Sequence, residues 1–326
     1  MMVFRWFGSL AASLLCLGLS AQSFDLEQFD QLFRPRIRVD ARWTPELAFQ
    51  EGDLHYEERS ATMVFTVPVY KRWSAGINLK PHGESLGDLL KDAVRVRASQ
   101  VMANARFGTR QLLVGDEVRN LHTVSLGALG ISLTKKYRVL FWSANVNVSE
   151  EESTLDQAVP RFNGLIGRMH VKGARKQFFY GLTATVSDGL NVPLPFVGGV
   201  APMGDRWSFQ YVLPLQLAFG YKASQQLRFQ AGVGGDGYRS GFAQGDGRVN
   251  MNYTALRVFA NVRHKVSRYV QLRAEVSGLA SHSIRLPDPE GELERYPIDP
   301  GVQVMIGANF FFGNSTLERI MDDVLR

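Results

Sequence analysis

Cysteine is almost absent from the sequence: among 326 residues there is one, Cys16. A chain with a single cysteine has no internal disulfide framework and no cysteine-ligated zinc or iron–sulfur site. Long apolar runs are missing as well, because no window of 18 apolar residues follows residue 22. This absence, with a mean hydropathy of -0.11, excludes a bundle of membrane-spanning helices. We therefore predict no metal site and no cofactor.

The remaining composition is that of a folded protein, with 45% hydrophobic and 21% charged residues. Glycine is abundant at 31 residues, aromatics make up 11%, and neither heptads nor a repeat of fixed period is visible. These features favour a single all-β unit over a helical bundle. The net charge of +6 permits nucleic-acid binding. The basic residues are not clustered with stacking aromatics along one groove, however, so we predict no nucleic-acid partner.

Residues 1–21 have the pattern of a secretory signal peptide. A basic residue, Arg5, precedes the apolar stretch 10–19, and small residues follow at Gly18, Ser20 and Ala21. Cys16 follows two leucines, which disfavours a lipoprotein anchor. We expect export and a short periplasmic segment over 22–35. Two destinations stay open at this point: a soluble exported protein or a barrel in the outer membrane.

Segment after segment then alternates with a period of two. In 36–43, one side carries Ile37, Val39, Ala41 and Trp43 and the other carries charged residues, as expected for a strand with one apolar and one polar face. The same alternation recurs in 140–148, 177–187, 207–221, 227–233 and 270–277. A soluble sandwich alternates in the same way, so alternation alone does not decide between the two destinations.

Strand length and aromatic placement favour the barrel. Many runs reach the nine or more residues that a tilted strand needs to cross a bilayer. Aromatic residues also lie near the ends of the apolar faces, as in an interfacial girdle; these are Trp43, Tyr70, Trp73, Tyr137, Trp207, Tyr221 and Tyr253. We therefore predict an all-β, transmembrane, antiparallel up-and-down β-barrel over residues 36–312.

The turn pattern predicts about twelve strands, within a range of 10 to 14. Short turns are predicted at 71–72, 134–136, 172–176, 222–226 and 265–268, and they alternate with long connections at 44–60, 81–120, 149–163, 188–206, 236–252 and 282–300. The predicted strands are 36–43, 61–70, 73–80, 121–133, 137–148, 164–171, 177–187, 207–221, 227–235, 253–264, 269–281 and 301–312. An even number places both ends of the barrel on the short-turn, periplasmic side. This count requires that 81–120 contain only a helix or hairpin within a long loop.

The two ends of the predicted barrel differ in charge. The short turns hold ten basic residues and no acidic one, whereas acidic residues concentrate in the long connections. Basic turns would lie against anionic headgroups, so outer-membrane lipids are predicted partners. Ordinary solvated turns are the alternative.

The last predicted strand, 301–312, alternates and ends on an aromatic residue. It resembles the terminal strand by which outer-membrane barrels are recognised, which implies the barrel-assembly machinery as a partner. The segments Phe65–Tyr70, Val192–Gly199 and Val212–Leu215 are similar to an uncharacterised family of outer-membrane barrels from Bacteroidota-type bacteria. That resemblance implies the barrel fold and carries no catalytic residues or ligands. Here residues 313–326 follow the strand, with the spacing of a short amphipathic helix.

The predicted interior is cationic. The register directs ten charged residues inward: Arg36, Arg38, Asp40, Arg42, Arg168, Arg228, Arg257, Arg263, Arg273 and Glu275. A watery lumen solvates such guanidinium groups, whereas a dry core does not. The field of this lining favours small anionic or amphiphilic solutes. The interior is either an open path or a space filled by side chains.

Three functions follow from this interpretation. The first is a passive pore or transport-related channel, the second a structural or surface-interaction barrel without conduction, and the third an outer-membrane lipid hydrolase. His170 and His282 are the histidines with suggestive neighbours. His282 and Ser283, being adjacent on a strand, point to opposite faces and do not form a dyad directly. No nucleophile, zinc or phosphate-binding motif is present, so we predict no enzyme and no catalytic residue.

Overall fold

The computed structural model describes residues 34–51, 53–77, 94–134, 138–171, 176–187, 190–244, 247–287 and 293–313. The predicted signal peptide, nearly all of the predicted periplasmic segment and the predicted C-terminal helix lie outside the described residues. Within them, no helix has both the length and the apolar character needed to cross a membrane.

The described chain is built almost entirely of strands. They are β1 Arg36–Ala48, β2 His55–Ile77, β3 Val94–Val114, β4 Glu117–Thr134, β5 Arg138–Glu151, β6 Arg161–Val171, β7 Gln177–Ser187, β8 Leu190–Met203, β9 Trp207–Leu213, β10 Gln216–Lys222, β11 Leu227–Gln244, β12 Gly247–Lys265, β13 Val270–Pro287, β14 Leu293–Ile298 and β15 Gly301–Phe311. A short 3-10 helix, Glu152–Gln157, follows β5.

Fourteen of these strands close into one antiparallel barrel. Each strand from β1 to β13 pairs with the next, and β15 pairs with both β13 and β1. The closing pair runs in register from Arg36 opposite Phe311 to Trp43 opposite Val304. β14 stands outside the ring and pairs with the far end of β13. The predicted fold class is confirmed.

The strand count is 14 rather than 12, and four differences produce the change. The turn predicted at 71–72 is wrong, because β2 continues through it for 23 residues. Two strands, β3 and β8, occupy stretches predicted to be long connections. The predicted strand 207–221 is a hairpin, with β9 and β10 folded back at residues 214–215. One strand is lost and three are gained, which brings twelve to fourteen.

The wall of the barrel is apolar outside, and a large part of its inner side is polar. Ile306 is 61% exposed and Leu126 59%, whereas Gln230 and Asn261 are 7% and 8% exposed. This confirms the assignment on which the prediction depended, that the apolar side of the strands faces outward. Burying so many amides and charges inward is tolerable because they find partners there.

Three of the predicted girdle residues, Trp43, Tyr70 and Trp207, lie on the outer surface, each about half exposed. Tyr253 is wrongly placed in the predicted girdle: it is 4% exposed and points inward. It shares the inward side of β12 with Met251 and Ala255, because the apolar residues there fill the interior instead of meeting lipid. The side chains of Trp73 and Tyr137 lie outside the described part of the structure.

We call the end where β1 begins and β15 ends the base, and the opposite end the top. Strands of 23 and 21 residues, β2 and β3, exceed the 9–11 residues that span a bilayer. Thr66 of β2 lies opposite Arg36, so 67–77 of β2 and the part of β3 paired with them extend past the start of β1 at the base. At the top, β5 pairs directly with β11 through Glu150 and Gly241. Strands β6 to β10 end below this contact, so the ring contains fewer strands at the top than at the base.

The barrel interior as candidate functional site

The inner wall is divided into an apolar sector and a polar sector. The apolar sector comes from the inward residues of β3 to β9 in the half nearer the base: Met102, Ile131, Val139, Phe141, Met169, Phe179, Phe196, Val200 and Val212. Each is at most 8% exposed. The polar sector comes from the inward residues of β10 to β13, β15, β1 and β2. The interior therefore offers both an oily surface and charged groups.

Near the base, four basic residues lie opposite one another on neighbouring strands. Lys222 of β10 is paired with Arg228 of β11, Arg228 with Arg263 of β12, and Arg263 with Arg273 of β13. We call Lys222, Arg228, Arg263 and Arg273 the basic row. Directly opposite residues on antiparallel strands have Cβ atoms about 4.5–5.5 Å apart, and like charges in such pairs are destabilising.

The basic row ends at a single carboxylate. Arg273 lies opposite Gly307, and Gly307 lies opposite Asp40. Asp40 accepts from Arg38 Nε at 2.6 Å, and its other oxygen is 3.2 Å from Arg273 Nε. Glycine is required at 307, because a Cβ there would lie 2.2 Å from Asp40 Oδ1. The local sequence thus makes space for the Asp40 carboxylate beside this end of the row.

A second ionic group lies higher in the interior. Arg42 donates to Asp236 at 2.8 Å, and Arg257 Nε lies 3.9 Å from the same carboxylate oxygen. Arg257 also bonds to Glu275, which in addition accepts from Ser277 at 3.1 Å. Arg257 and Glu275 are 4% and 5% exposed. These opposite charges are therefore paired directly, as Arg273 of the basic row is with Asp40.

Close to the top, a polar cluster formed by Tyr56, Glu58, Arg110, Tyr238 and Tyr253 crosses the interior. Glu58 is 1% exposed and accepts from Tyr56 Oη at 2.6 Å. Arg110 Nε lies 3.1 Å from Glu58, and its guanidinium covers the Tyr238 ring at 3.3 Å. The Tyr253 ring stacks against those of Tyr56 and Tyr238. We call this group the top cluster.

Apolar side chains surround the top cluster and fill the space beside it: Phe49, Leu112, Leu121, Met251, Ala255, Leu279, Ile284 and Ile298. His282 joins them, with Nδ1 3.3 Å from Tyr253 Oη and Nε2 2.8 Å from the Asp299 carbonyl. A register shift in β13 opposite Leu256 and Arg257 turns His282 to the inside. The described interior is packed with side chains at the top.

The structure places nine of the ten predicted interior residues on the inner side of the wall. Arg36, Arg38, Asp40, Arg42, Arg228, Arg257, Arg263, Arg273 and Glu275 share their side of each strand with buried residues. The inward assignment of Arg168 is wrong, because its side chain is exposed on the outer side of β6, which it shares with Phe162 and Ile166. β6 is apolar on both faces, with Met169 buried at 3%, so alternation does not reveal which side faces inward.

Several interior residues escaped the sequence-based prediction. Glu58, Arg106, Arg110, Asp236 and Tyr238 lie inward, but all five belong to stretches that we predicted to be connections. For Glu58, Arg106 and Arg110 the signal was the continuation of period-two alternation from strand 61–70 back to His55, and from Val101 to Phe107 and beyond. Asp236 and Tyr238 lie in β11, which continues past the predicted end of its strand at 235.

Two further strand ends contribute charges near the top. Glu150 is fully buried and accepts from Arg248 at 2.7 and 2.9 Å, and Glu151 accepts from Arg119 at 3.1 Å. The bonds of Glu150 to Arg248, and a bond from Ala243 N–H to Glu151, hold β5 against the hairpin of β11 and β12, whereas Arg119 belongs to β4. No group of three or more potential metal-ligating side chains occurs among the described residues.

Comparison with known proteins gives matches in structure only. No protein-family model matches the sequence, and no curated protein matches it. The β domain of the Bordetella autotransporter BrkA is 9% identical with a TM-score of 0.34, over 86% of this chain and all of that chain. The monoaromatic hydrocarbon channel TodX, as a deltaS2 mutant, is 8% identical with a TM-score of 0.35, over 86% of this chain and 90% of that chain.

The translocator domain of the autotransporter NalP from Neisseria meningitidis is 10% identical with a TM-score of 0.30, over 85% of this chain and 88% of that chain. The resemblance to a Bacteroidota-type family stays a prediction. The strand pairing and the two-faced wall of this chain define a closed barrel of the outer-membrane type, apolar outside and polar within.

Proposed function

We propose that the chain is an exported outer-membrane barrel with a transport-related function, whose interior favours small anionic solutes. The basic row carries this proposal. Four cations lie opposite one another on adjacent strands, with Asp40 at the end of the line and Glu275 two residues from Arg273 on the inward side of β13. Like charges so placed cost stability, and a bound or passing anion relieves that cost. Groups of one sign lining a path also raise the local concentration of the opposite ion.

Single-channel recording in planar lipid bilayers tests this proposal. In a salt gradient, the reversal potential should show anion preference, and Arg263→Gln should move it towards cation preference. Arg168→Gln is the matched control, because it removes the same charge from the outer face of the wall. Equal reversal potentials for the wild type and both variants would reject the basic row as the selective element.

A second candidate function is a barrel that does not conduct. The packed top cluster and its apolar neighbours favour it, since they fill the described interior at that end. The same recordings distinguish the two candidates. Absence of conductance steps at all applied potentials, from protein shown to be folded by heat-modifiable gel migration, would favour the closed barrel and contradict the pore.

We infer no catalytic role and do not favour the lipid hydrolase. His170 stacks on the Tyr180 ring at 5.9 Å, and Tyr180 is 42% exposed on the outer face. Both ring nitrogens of His282 are within hydrogen-bond distance of a tyrosine hydroxyl or a backbone carbonyl. A lipid-release assay on wild type, His170→Ala and His282→Ala is the check. Release by the wild type that either substitution abolishes would overturn this inference.

A further inference from the structure

The barrel wall contains a notch above the hairpin of β9 and β10. β8 pairs with β9 only from Val197 to Met203, although β8 itself begins seven residues earlier, at Leu190. β11 pairs with β10 only from Arg228 to Gly234, although β11 continues to Gln244. In the described structure, 190–196 of β8 and 235–240 of β11 therefore face each other as strand edges without an intervening strand.

The sequence of β8 explains why the wall stops there. Pro193 and Pro195 lie in the unpaired stretch, and both are exposed. Proline has no N–H to donate to a ladder, so a strand with two alternate prolines supports pairing on one edge only. β7 occupies that edge, with Ala184 opposite Pro193 and Leu182 opposite Pro195. The other edge is closed to strand addition by the same two prolines.

The notch has a defined upper border. Ser149 Oγ of β5 bonds to Ser240 Oγ of β11 at 3.2 Å, next to the pairing of Glu150 with Gly241. Arg161, the first residue of β6, donates to the Arg239 carbonyl at 2.6 Å. Seven strand residues correspond to about 23 Å along β8, and the two absent strands leave three strand spacings, about 14 Å, just above the hairpin. The gap narrows upward to the direct contacts of β11 with β5 and β6. Its lower part exceeds the cross-section of an extended hydrocarbon chain.

The β8 border of the notch is apolar, whereas the β11 border carries Asp236, Tyr238 and Arg239. Outside, Leu182, Leu213 and Val233 are 52%, 44% and 41% exposed beside it, at the level that meets lipid. Inside, Leu194 and Phe196 of β8 are 7% and 8% exposed, and Phe196 belongs to the apolar sector. A hydrocarbon chain crossing along the β8 border would stay in contact with apolar surface.

We propose that this notch is a lateral port through which a long-chain anionic amphiphile exchanges between the membrane and the barrel interior. The apolar sector takes its acyl chain, and the charged sector takes its head group. The choice of an anionic head rests on the proposed function, because it depends on the basic row. Access from the side also fits a barrel whose top is filled by packed side chains.

Site-specific photo-crosslinking tests the port. The protein carries p-benzoylphenylalanine in place of Leu194, inside the notch, and is folded into vesicles of phosphatidylethanolamine and phosphatidylglycerol containing deuterated palmitic acid. Leu182, exposed on the outer face, is the positive control. Thr66 is the matched inward control, because it is 2% exposed on β2, which has paired neighbours on both sides. Mass spectrometry identifies each adduct.

We expect acyl adducts at 194 with a yield of the same order as at 182 and at least tenfold above that at 66. The adduct mass tells deuterated palmitate from phospholipid, and either one supports the port. A yield at 194 no greater than at 66 overturns the proposal. So does an adduct to a second copy of the chain, which would make the notch a docking edge.

Where the 194 variant fails to fold on a heat-modifiable gel, the same substitution at Phe196 replaces it. The outcome is separable from that of the bilayer recordings. If acyl adducts form but the recordings show no anion preference, the port is supported and the anionic head group is rejected. If the recordings show anion preference but no acyl adducts form, the basic row is supported and the port is rejected.

Discussion

Removing the Glu58 carboxylate should destabilise the barrel more than any other single truncation in the top cluster. Glu58 is 1% exposed, accepts from Tyr56 Oη at 2.6 Å and lies 3.1 Å from Arg110 Nε. Glu58→Ala leaves the Arg110 guanidinium buried without this partner. Breaking a buried ion pair from one side typically costs about 3–5 kcal/mol. That cost includes the loss of the hydrogen bond from Tyr56 Oη, because Glu58→Ala also removes its acceptor.

The double variant Glu58→Leu with Arg110→Met removes both charges and keeps apolar volume. Replacing a whole buried ion pair by packed apolar residues is often neutral or stabilising, so we expect the double variant to be more stable than Glu58→Ala. The free energies of unfolding of the wild type, Glu58→Leu, Arg110→Met and the double variant form a thermodynamic cycle. Urea unfolding in lipid vesicles, followed by tryptophan fluorescence, measures all four.

The reasoning would be refuted if the costs of the single variants summed to the cost of the double variant within about 0.5 kcal/mol, the range expected of independent sites. In that case Glu58 and Arg110 would not be coupled. A cost below about 1 kcal/mol for Glu58→Ala would show that the carboxylate does not stabilise a buried cation.

Two further predictions concern the wall. Gly307→Ala should lower the free energy of unfolding by about 1–3 kcal/mol by overpacking, because its Cβ would lie 2.2 Å from Asp40 Oδ1. Gly164→Ala is the control and should be close to neutral, because nothing lies within 4 Å of the added Cβ. Equal unfolding midpoints of the two variants in urea would contradict this. The Ile306 side chain is 61% exposed on the apolar face. Ile306→Arg should therefore lower the free energy of unfolding in vesicles by about 2–4 kcal/mol, whereas Val266→Arg, in the turn after β12, should lower it by about 0–1 kcal/mol. An equal cost for both substitutions would argue against a lipid-facing belt at Ile306.

The alternation of side chains was enough to predict the fold class and most of the polar interior. In β1, Ile37 and Trp43 face out and Asp40 and Arg42 face in, as a period of two requires. The alternation failed where it cannot distinguish alternatives, as in β6, where both faces are apolar and Arg168 was assigned inward. It also failed in β8, where two prolines argue against a central strand, although an edge above a short hairpin accommodates them.

The hairpin of β9 and β10 was missed for a different reason. Leu217 lies opposite Tyr211 and Phe219 opposite Phe209, so odd-numbered residues face outward both before and after the turn. The alternation therefore runs through Pro214 without a break, and the pattern looks like one long strand. Period-two reasoning detects which face a residue occupies, but it does not detect a reversal that preserves the parity of the residue numbers.

Closure of the ring by its first and last strands has a consequence for the order of assembly. Arg36 of β1 pairs with Phe311 of β15, and nearly the full length of the described chain separates them. Among the described strand pairs, this one therefore has the largest entropic cost of loop closure. Neighbouring hairpins close only short loops, but pairing of β1 with β15 requires the last strand to be in place. Until then β1 and β13 each present a bare ladder, which makes the nearly finished sheet the species most prone to pair with another molecule.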